Sequence, residues 1–253
     1  MLSSAIVYAG VDPTAAHKAF TYALLDRELN VLALDEGELE DVVDVLAGKD
    51  AVTVAINAPA QLNRGLLRQS RQEAGPAGHQ LRGVDMRLGE LELRQHGIPV
   101  SGTAGRESSC AGWVRAGLAL YRGLTGRGFE PYPADACPHR VLETHPHAAF
   151  CALLERTPLS KPSTEGRLQR QLVLFDRGVG LRDPLEYFEE ITRHKLLHGM
   201  LPVELLYTPE QLDALVAAYT AWVATEQPRD LGSVGTSEEG LIYLPVKELK
   251  DKY

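Results

Sequence analysis

The chain has 253 residues, 44% of them hydrophobic and 24% charged, which is enough to bury the core of one large domain. This composition excludes a wholly disordered protein, and the chain holds no apolar run of the roughly 18 residues that a membrane-spanning helix needs. The net charge of −8 excludes a surface that is basic throughout. The N-terminus has no basic leader, and three cysteines without a CxxC pair favour free thiols in the cytoplasm.

The charges are unevenly distributed along the chain. Residues 61–140 hold 11 Arg, no Lys and 7 acidic residues, whereas the remainder is strongly acidic. An Arg-rich surface suits bidentate recognition of phosphate or carboxylate groups. The alternative is a solvated surface whose charges pair with one another.

The first 57 residues predict a meander of three strands, a helix and a fourth strand. The strands are expected at 5–11, 19–25, 31–34 and 52–56, and the amphipathic helix at 38–46. A right-handed crossover places the fourth strand beside the first, in parallel. This order is typical of the opening half of a ribonuclease H-like fold. A doubly wound sheet would need helices between the early strands, and none is predicted there.

Residues 60–138 are rich in Arg, Gly and Gln and predict a helical insertion, with helices near 89–96 and 112–122. A fifth strand is expected at 140–144. Helices are expected to follow at 148–156, 166–177, 185–198 and 209–225, and a terminal extended segment at 240–246. Thr208 and Pro209 form a strong start signal for the last helix. We therefore expect a single ribonuclease H-like α/β domain over 1–253, with a mixed sheet covered by helices on both faces.

Three carboxylates are candidates for a metal site. Asp12 ends the first strand, at the edge where open α/β sheets collect ligands. Glu143 lies within an apolar strand, where a charge is costly unless it is paired or metal-bound. Asp213 is expected in the first turn of the last helix. Each also has an ordinary structural interpretation, such as a turn residue for Asp12 and a favourable helix-dipole interaction for Asp213.

Cys137, His139, His145, His147 and Cys151 suggest zinc, but their spacing matches no structural zinc finger. His194 and His198 stand four residues apart on a predicted helix, but the Glu of an HExxH protease motif is missing between them. Core or surface roles are the simpler interpretation for these side chains.

Several short motifs occur in a characteristic order: GVDPT from Gly10, AINAPAQ from Ala55, RGVD from Arg82, VLETHPHAAF from Val141, LDALVAAYTAW from Leu212 and EEGLIYLP from Glu238. In this order the chain resembles domain-of-unknown-function family 429, described as predicted ribonuclease H-like nucleases.

The resemblance implies a Mg²⁺ or Mn²⁺ site formed by Asp12, Glu143 and Asp213. It also implies substrate-binding roles for Arg82, which matches an R-x-x-D element with Asp85. A basic stretch in the family matches Lys161 together with Arg167 or Arg170.

Asn57 departs from the family pattern, in which the fourth strand is followed by Asp-x-Pro. An amide oxygen can coordinate Mg²⁺ but brings no charge and cannot act as a base. Three interpretations stay open: the enzyme works with one metal ion, Glu143 substitutes for the missing acid, or this chain has lost activity.

The expected function is metal-dependent hydrolysis of phosphodiester bonds in nucleic acid or a smaller phosphodiester. Asn57 is expected to line the substrate site, and His145 or His147 to transfer a proton to the leaving oxygen. The main alternative is a catalytically impaired binding or scaffold protein. A nucleotide-handling protein of the actin/hexokinase-like group is a weaker alternative, because a second glycine-rich phosphate loop is missing. No membrane partner is expected, and a homodimer stays open.

Overall fold

The computed structural model describes residues 6–13, 19–68 and 85–253. Its strands are β1 (Ile6–Asp12), β2 (Phe20–Leu25), β3 (Val31–Gly37), β4 (Ala51–Ile56), β5 (Glu130–Pro131), β6 (His139–Thr144), β7 (Gly232–Thr236) and β8 (Gly240–Leu244). Its helices are α1 (Leu39–Ala47), α2 (Leu88–Gln95), α3 (Gly112–Gly126), α4 (Pro146–Leu154), α5 (Thr164–Asp176), α6 (Glu186–Glu189), α7 (Arg193–Leu197) and α8 (Pro209–Glu226).

Within the described ranges the strands form one eight-stranded sheet in the order β3-β2-β1-β4-β6-β8-β7, with the short β5 also pairing with β6. The pairs β1–β2, β2–β3 and β7–β8 are antiparallel. The pairs β1–β4, β4–β6 and β6–β8 are parallel. The α/β class and the mixed sheet expected from the sequence are therefore confirmed.

Helices cover both faces of the sheet because side chains alternate along each strand. Tyr8, Ala55 and Leu142 belong to one buried cluster, which they share with α4, α5 and α8. Val54 and Val141 point the other way and pack with α1 and α3. Successive residues of a strand therefore face opposite helix layers of the sheet.

Helix α8 lies directly on β1, and Gly10 makes this approach possible. A Cβ atom at Gly10 would stand 2.0 Å from the Ala214 carbonyl oxygen and 2.2 Å from the Ala218 amide nitrogen. Such distances leave no room for a side chain. This close packing brings the N-terminal half of α8 over the end of β1.

The start of α8 agrees with the sequence signal. Thr208 is its N-cap and accepts a hydrogen bond from Gln211 N, whose side chain in turn accepts one from Thr208 N. The single helix predicted over 185–198 is wrong: α6 and α7 are separate, because Thr192 caps a new helix by accepting a hydrogen bond from Lys195 N. The sequence did not predict β7, which precedes β8 and pairs with it in antiparallel orientation.

The helices of the described ranges are all too short or too polar to cross a membrane.

Candidate active site

Asp12 and Asn57 lie side by side where two neighbouring parallel strands end. Val11 pairs with Ile56, so the residues that follow them are adjacent at the same edge of the sheet. Asn57 Nδ2 donates a hydrogen bond of 2.6 Å to Asp12 Oδ1. Asp12 is buried. The amide of Asn57 therefore fixes the orientation of the Asp12 carboxylate.

Asp213 reaches the same edge from α8. It is buried in the second turn of the helix rather than in the expected first turn, which Glu210 occupies. Lys161, in the loop before α5, donates a hydrogen bond of 2.5 Å from Nζ to Asp213 Oδ2. The sheet thus supplies one carboxylate and the helix the other, and the ammonium group partners the helix carboxylate.

These groups open into one cavity of about 460 Å³. Besides Asp12, Asn57 and Asp213, its lining includes two cations, a further acid, two imidazoles and an indole: Lys161, Arg170, Glu210, His145, His147 and Trp113. Arg170 is held by hydrogen bonds from Nη1 to the carbonyl oxygens of Leu159 and Gly166. The cavity is therefore strongly polar, with fixed charges of both signs.

Burial and charge perturb both carboxylates. Burial, followed by the nearby charge of Asp213, raises the pKa of Asp12 to about 7, although the Asn57 hydrogen bond and Lys161 act in the opposite direction. Burial also raises the pKa of Asp213, against the effect of Lys161. Because burial makes both acids resist ionisation, and the Asp213 charge adds to this effect at Asp12, the pair favours a bound proton or a bound cation.

His145 and His147 stand at the start of α4. His145 is the N-cap residue, and its Nδ1 accepts a hydrogen bond from Ala148 N at 3.2 Å. The ring hydrogen is therefore on Nε2. Burial, followed by the effect of His147, lowers the pKa of His145 to about 4. At neutral pH the ring is uncharged, so it suits hydrogen-bond donation to a ligand better than delivery of a proton.

The family model for DUF429, proteins of unknown function, matches residues 10–234. The chain belongs to the DUF429 family. The match includes all of the cavity-lining residues named above. Comparisons with curated proteins and with solved structures give no match.

Glu143 of the DUF429 chain does not join the other two carboxylates. It pairs with Ile56 in the sheet, which pairs with Val11, so all three point to the face opposite Asp12. There Glu143 forms a buried ion pair with Arg87 and accepts a hydrogen bond from Ala60 N at 2.8 Å. The expected cluster of three carboxylates is thus corrected to a pair, because the pleat alternation separates Glu143 from the cavity.

The sequence did not reveal two cavity-lining residues, Trp113 and Glu210. It also did not reveal Arg87, the partner of Glu143 on the other face of the sheet. Its guanidinium is buried and also contacts Glu90 at 3.0 Å and the Glu239 carbonyl oxygen at 2.9 Å. Burial raises the pKa of Glu143, and Arg87 opposes this effect. The Arg-rich composition of residues 61–140 was a general signal, but it could not single out this residue.

Of the predicted substrate-binding basic residues within the described ranges, Lys161 lies at the cavity and Arg167 does not. Lys161 lines the cavity, whereas Arg167 is occupied by the carbonyl oxygens of Tyr207, Leu206 and Val203. Arg170, the family alternative to Arg167, is the arginine that lines the cavity. Arg82 lies outside the described residues, and Asp85 forms an exposed ion pair with Arg68.

Within the described ranges, no group of three or more His, Cys, Asp or Glu residues could hold a metal ion. The candidate zinc ligands accordingly do not form a site there. His147 Nε2 and Cys151 Sγ are 3.8 Å apart on α4, and His139 Nε2 contacts the Lys49 carbonyl oxygen at 2.8 Å.

Proposed function

We propose that this DUF429 protein is a ribonuclease H-like, metal-dependent phosphodiesterase that uses one divalent cation, held by Asp12 and Asp213. The observation that carries the proposal is the arrangement of these two buried carboxylates. They enter one cavity from different elements, the end of β1 and the second turn of α8, next to Lys161 and Arg170.

The order of the strands supports the ribonuclease H-like part of the proposal. An antiparallel meander β3-β2-β1 continues into the parallel strands β4 and β6, and the first strand ends in an aspartate. The cavity lies at the carboxyl ends of the parallel strands, where open α/β sheets bind ligands.

We infer that the two buried carboxylates, Asp12 and Asp213, together hold one Mg²⁺ or Mn²⁺ ion. Three acids line the cavity, namely Asp12, Glu210 and Asp213, against the two cations Lys161 and Arg170. The acids that line the cavity outnumber its cations, and the raised pKa of Asp12 marks a carboxylate whose ionised form a bound cation would stabilise. Mg²⁺ is commonly held by one or two carboxylates, with water and substrate phosphate filling the remaining positions.

A bound cation would activate a water molecule and offset negative charge on the phosphoryl oxygens. The chain's own residues would bind and orient the substrate. Lys161 and Arg170 provide positive charge for a non-bridging phosphate oxygen. His145 can donate a hydrogen bond from Nε2, and the Trp113 indole offers a surface on which a base could stack. Asn57 holds Asp12 in its orientation.

The experiment is a hydrolysis assay with Mn²⁺ or Mg²⁺ on bis(p-nitrophenyl) phosphate and on single- and double-stranded DNA and RNA. We expect activity that chelation abolishes and that Asp12→Asn or Asp213→Asn reduces by about 100-fold or more. Asp50→Asn is the matched control, because Asp50 is an exposed aspartate outside the cavity. Activity that persists in both cavity variants would overturn the mechanism.

A non-catalytic binding protein is the second candidate. It is favoured by the fact that each carboxylate already has a partner, Asn57 for Asp12 and Lys161 for Asp213. Isothermal titration calorimetry separates the two candidates. Mn²⁺ binding that Asp12→Asn weakens supports the phosphodiesterase, whereas a wild-type protein that binds no cation supports the binding protein.

A further inference from the structure

A second cavity, which we call the basic cavity, has a volume of about 460 Å³ and lies within the Arg-rich stretch of residues 61–140. Its described lining residues belong to two segments, 63–68 and 104–109, together with residue 85. None of these residues lines the active-site cavity. The charged members of the described lining are three arginines and one acid: Arg64, Arg68, Arg106 and Asp85.

Two of the three arginines have no partner among the described residues. Arg68 forms an ion pair with Asp85. Arg64 and Arg106 are exposed, and neither forms an ion pair or a side-chain hydrogen bond with any residue that the structure describes. Other arginines of the Arg-rich stretch do pair with acids, namely Arg87, Arg122 and Arg127. The described lining of the basic cavity therefore carries a net charge of +2 that belongs to two free guanidinium groups.

The backbone around these arginines is fixed by a buried carboxylate. Glu239 is fully buried and accepts hydrogen bonds from Arg64 N at 2.9 Å and from Leu66 N at 3.3 Å. Asn63 N donates to the Ala104 carbonyl oxygen at 3.4 Å and so joins the two segments that form the cavity. Because the walls are already ordered, a ligand loses little binding free energy to ordering the backbone.

Neutral donors complete the lining of the basic cavity. Asn63 is 8% exposed, and its Oδ1 accepts a hydrogen bond from Gly65 N at 2.7 Å. Its Nδ2 group has no acceptor among the described residues, so it stays available to a ligand in the cavity. The exposed Ser109 hydroxyl also lines the cavity. Two guanidinium groups with neutral donors beside them suit an anion that has several acceptor oxygens.

We propose that the basic cavity binds a phosphate monoester group between Arg64 and Arg106. Such a group carries a charge of about −1.5 to −2 at neutral pH and has three strong acceptor oxygens, so it matches the two free guanidinium groups. A carboxylate or a phosphodiester carries one negative charge and would leave one guanidinium unbalanced. The planar guanidinium fork also matches the geometry of phosphate oxygens.

The phosphate monoester has two possible sources, a small phosphorylated molecule or the terminal phosphate of a nucleic-acid strand. Both present the same chemical group to Arg64 and Arg106. The site is independent of the proposed phosphodiesterase activity, because its described lining is separate from the cavity that holds Asp12 and Asp213.

The test is isothermal titration calorimetry of the full chain with inorganic phosphate, and with acetate at the same ionic strength. We expect the wild type to bind phosphate and not acetate. Arg64→Gln with Arg106→Gln should weaken phosphate binding by at least about 10-fold, because hydrogen bonds to charged groups are the strong ones. Arg127→Gln with Arg156→Gln is the matched control, since it removes the same charge from two exposed arginines outside the basic cavity.

A second titration separates the two sources of the phosphate group. A short oligonucleotide with a 5′-phosphate is compared with the same strand ending in a 5′-hydroxyl, in the presence of a chelator that prevents hydrolysis. If the wild type prefers the phosphorylated strand and the Arg64 and Arg106 variant does not, the ligand is a strand terminus. If phosphate binds but the two strands bind equally weakly, the ligand is a small phosphorylated molecule.

Three results would overturn the proposal. The first is a wild-type protein that binds no phosphate at any concentration of the series. The second is phosphate binding that the Arg64 and Arg106 substitutions leave unchanged, which would place the anion elsewhere. The third is tight binding of both strands that depends equally on the two arginines, since the cavity would then hold a phosphodiester of the backbone rather than a monoester.

Discussion

The close contact between α8 and β1 at Gly10 predicts that Gly10→Ala disturbs both the stability of the fold and the carboxylate pair. The added Cβ would lie 2.0 Å from the Ala214 carbonyl oxygen, whereas ordinary van der Waals contact begins near 3.4 Å. The neighbouring atoms belong to the backbone of α8, so no side chain can rotate away to relieve the overlap. The helix must retreat from the strand by roughly 1 Å.

This displacement has two consequences. Overpacking in a closely packed core costs about 3 kcal/mol, which lowers the melting temperature of a protein of this size by roughly 10 °C. Asp213 precedes Ala214 in the same helix and therefore moves with it, away from Asp12. An error of about 1 Å in a positioned site can reduce activity by about 100-fold.

The assay combines differential scanning calorimetry with Mn²⁺ titration of the same samples. Gly126→Ala is the matched control, since a Cβ there would have no heavy atom within 4 Å outside its own helix. We expect that control to melt at or slightly above the wild-type temperature, because alanine favours the helix. A Gly10→Ala variant that melts within about 1 °C of the wild type would refute the packing argument.

Three further predictions concern buried charge, pH and capping. Arg87→Met should lower the free energy of unfolding in urea by about 4 kcal/mol, because it leaves the buried Glu143 and Glu90 without their cationic partner; adding Glu143→Leu should recover part of the loss. The pKa of Asp12 is raised from 3.8 to about 7, so the folded protein holds a proton that the unfolded chain releases in this range. The stability of the wild type relative to Asp12→Asn should therefore fall as pH rises from about 4 to about 7, by at most about 1.4 kcal/mol per pH unit. Thr208→Ala should cost about 1 kcal/mol and Thr208→Ser much less, measured in the same urea experiment.

Each of these three predictions would be contradicted by a different outcome. A double variant of Arg87 and Glu143 that is no more stable than Arg87→Met would show that the ion pair is not the main loss. A pH-independent difference between the wild type and Asp12→Asn would show that the Asp12 pKa is not raised. Equal losses for Ala and Ser at Thr208 would remove the capping hydrogen bond as the cause.

The sequence alone determined the features that depend on local pattern. Apolar runs and turn residues placed β1 to β4 and α1 within a few residues, because strand alternation and helical period are properties of short segments. Thr208 and Pro209 marked the start of α8 for the same reason, since a cap is made within one turn. The order of these elements also placed Asp12 at the end of a central strand.

Only the tertiary structure decided which side chains meet. Glu143 in β6 aligns through Ile56 with Val11, which is one residue before Asp12, so Glu143 and Asp12 lie on opposite faces of the sheet. The partners Arg87 and Lys161 come from segments far along the chain, and their pairing depends on how those segments pack. The spacing of apolar residues along the sequence identifies the helix or strand to which a residue belongs. The register between elements is set by packing of the whole core, and this register defines the cavity shared by Asp12 and Asp213.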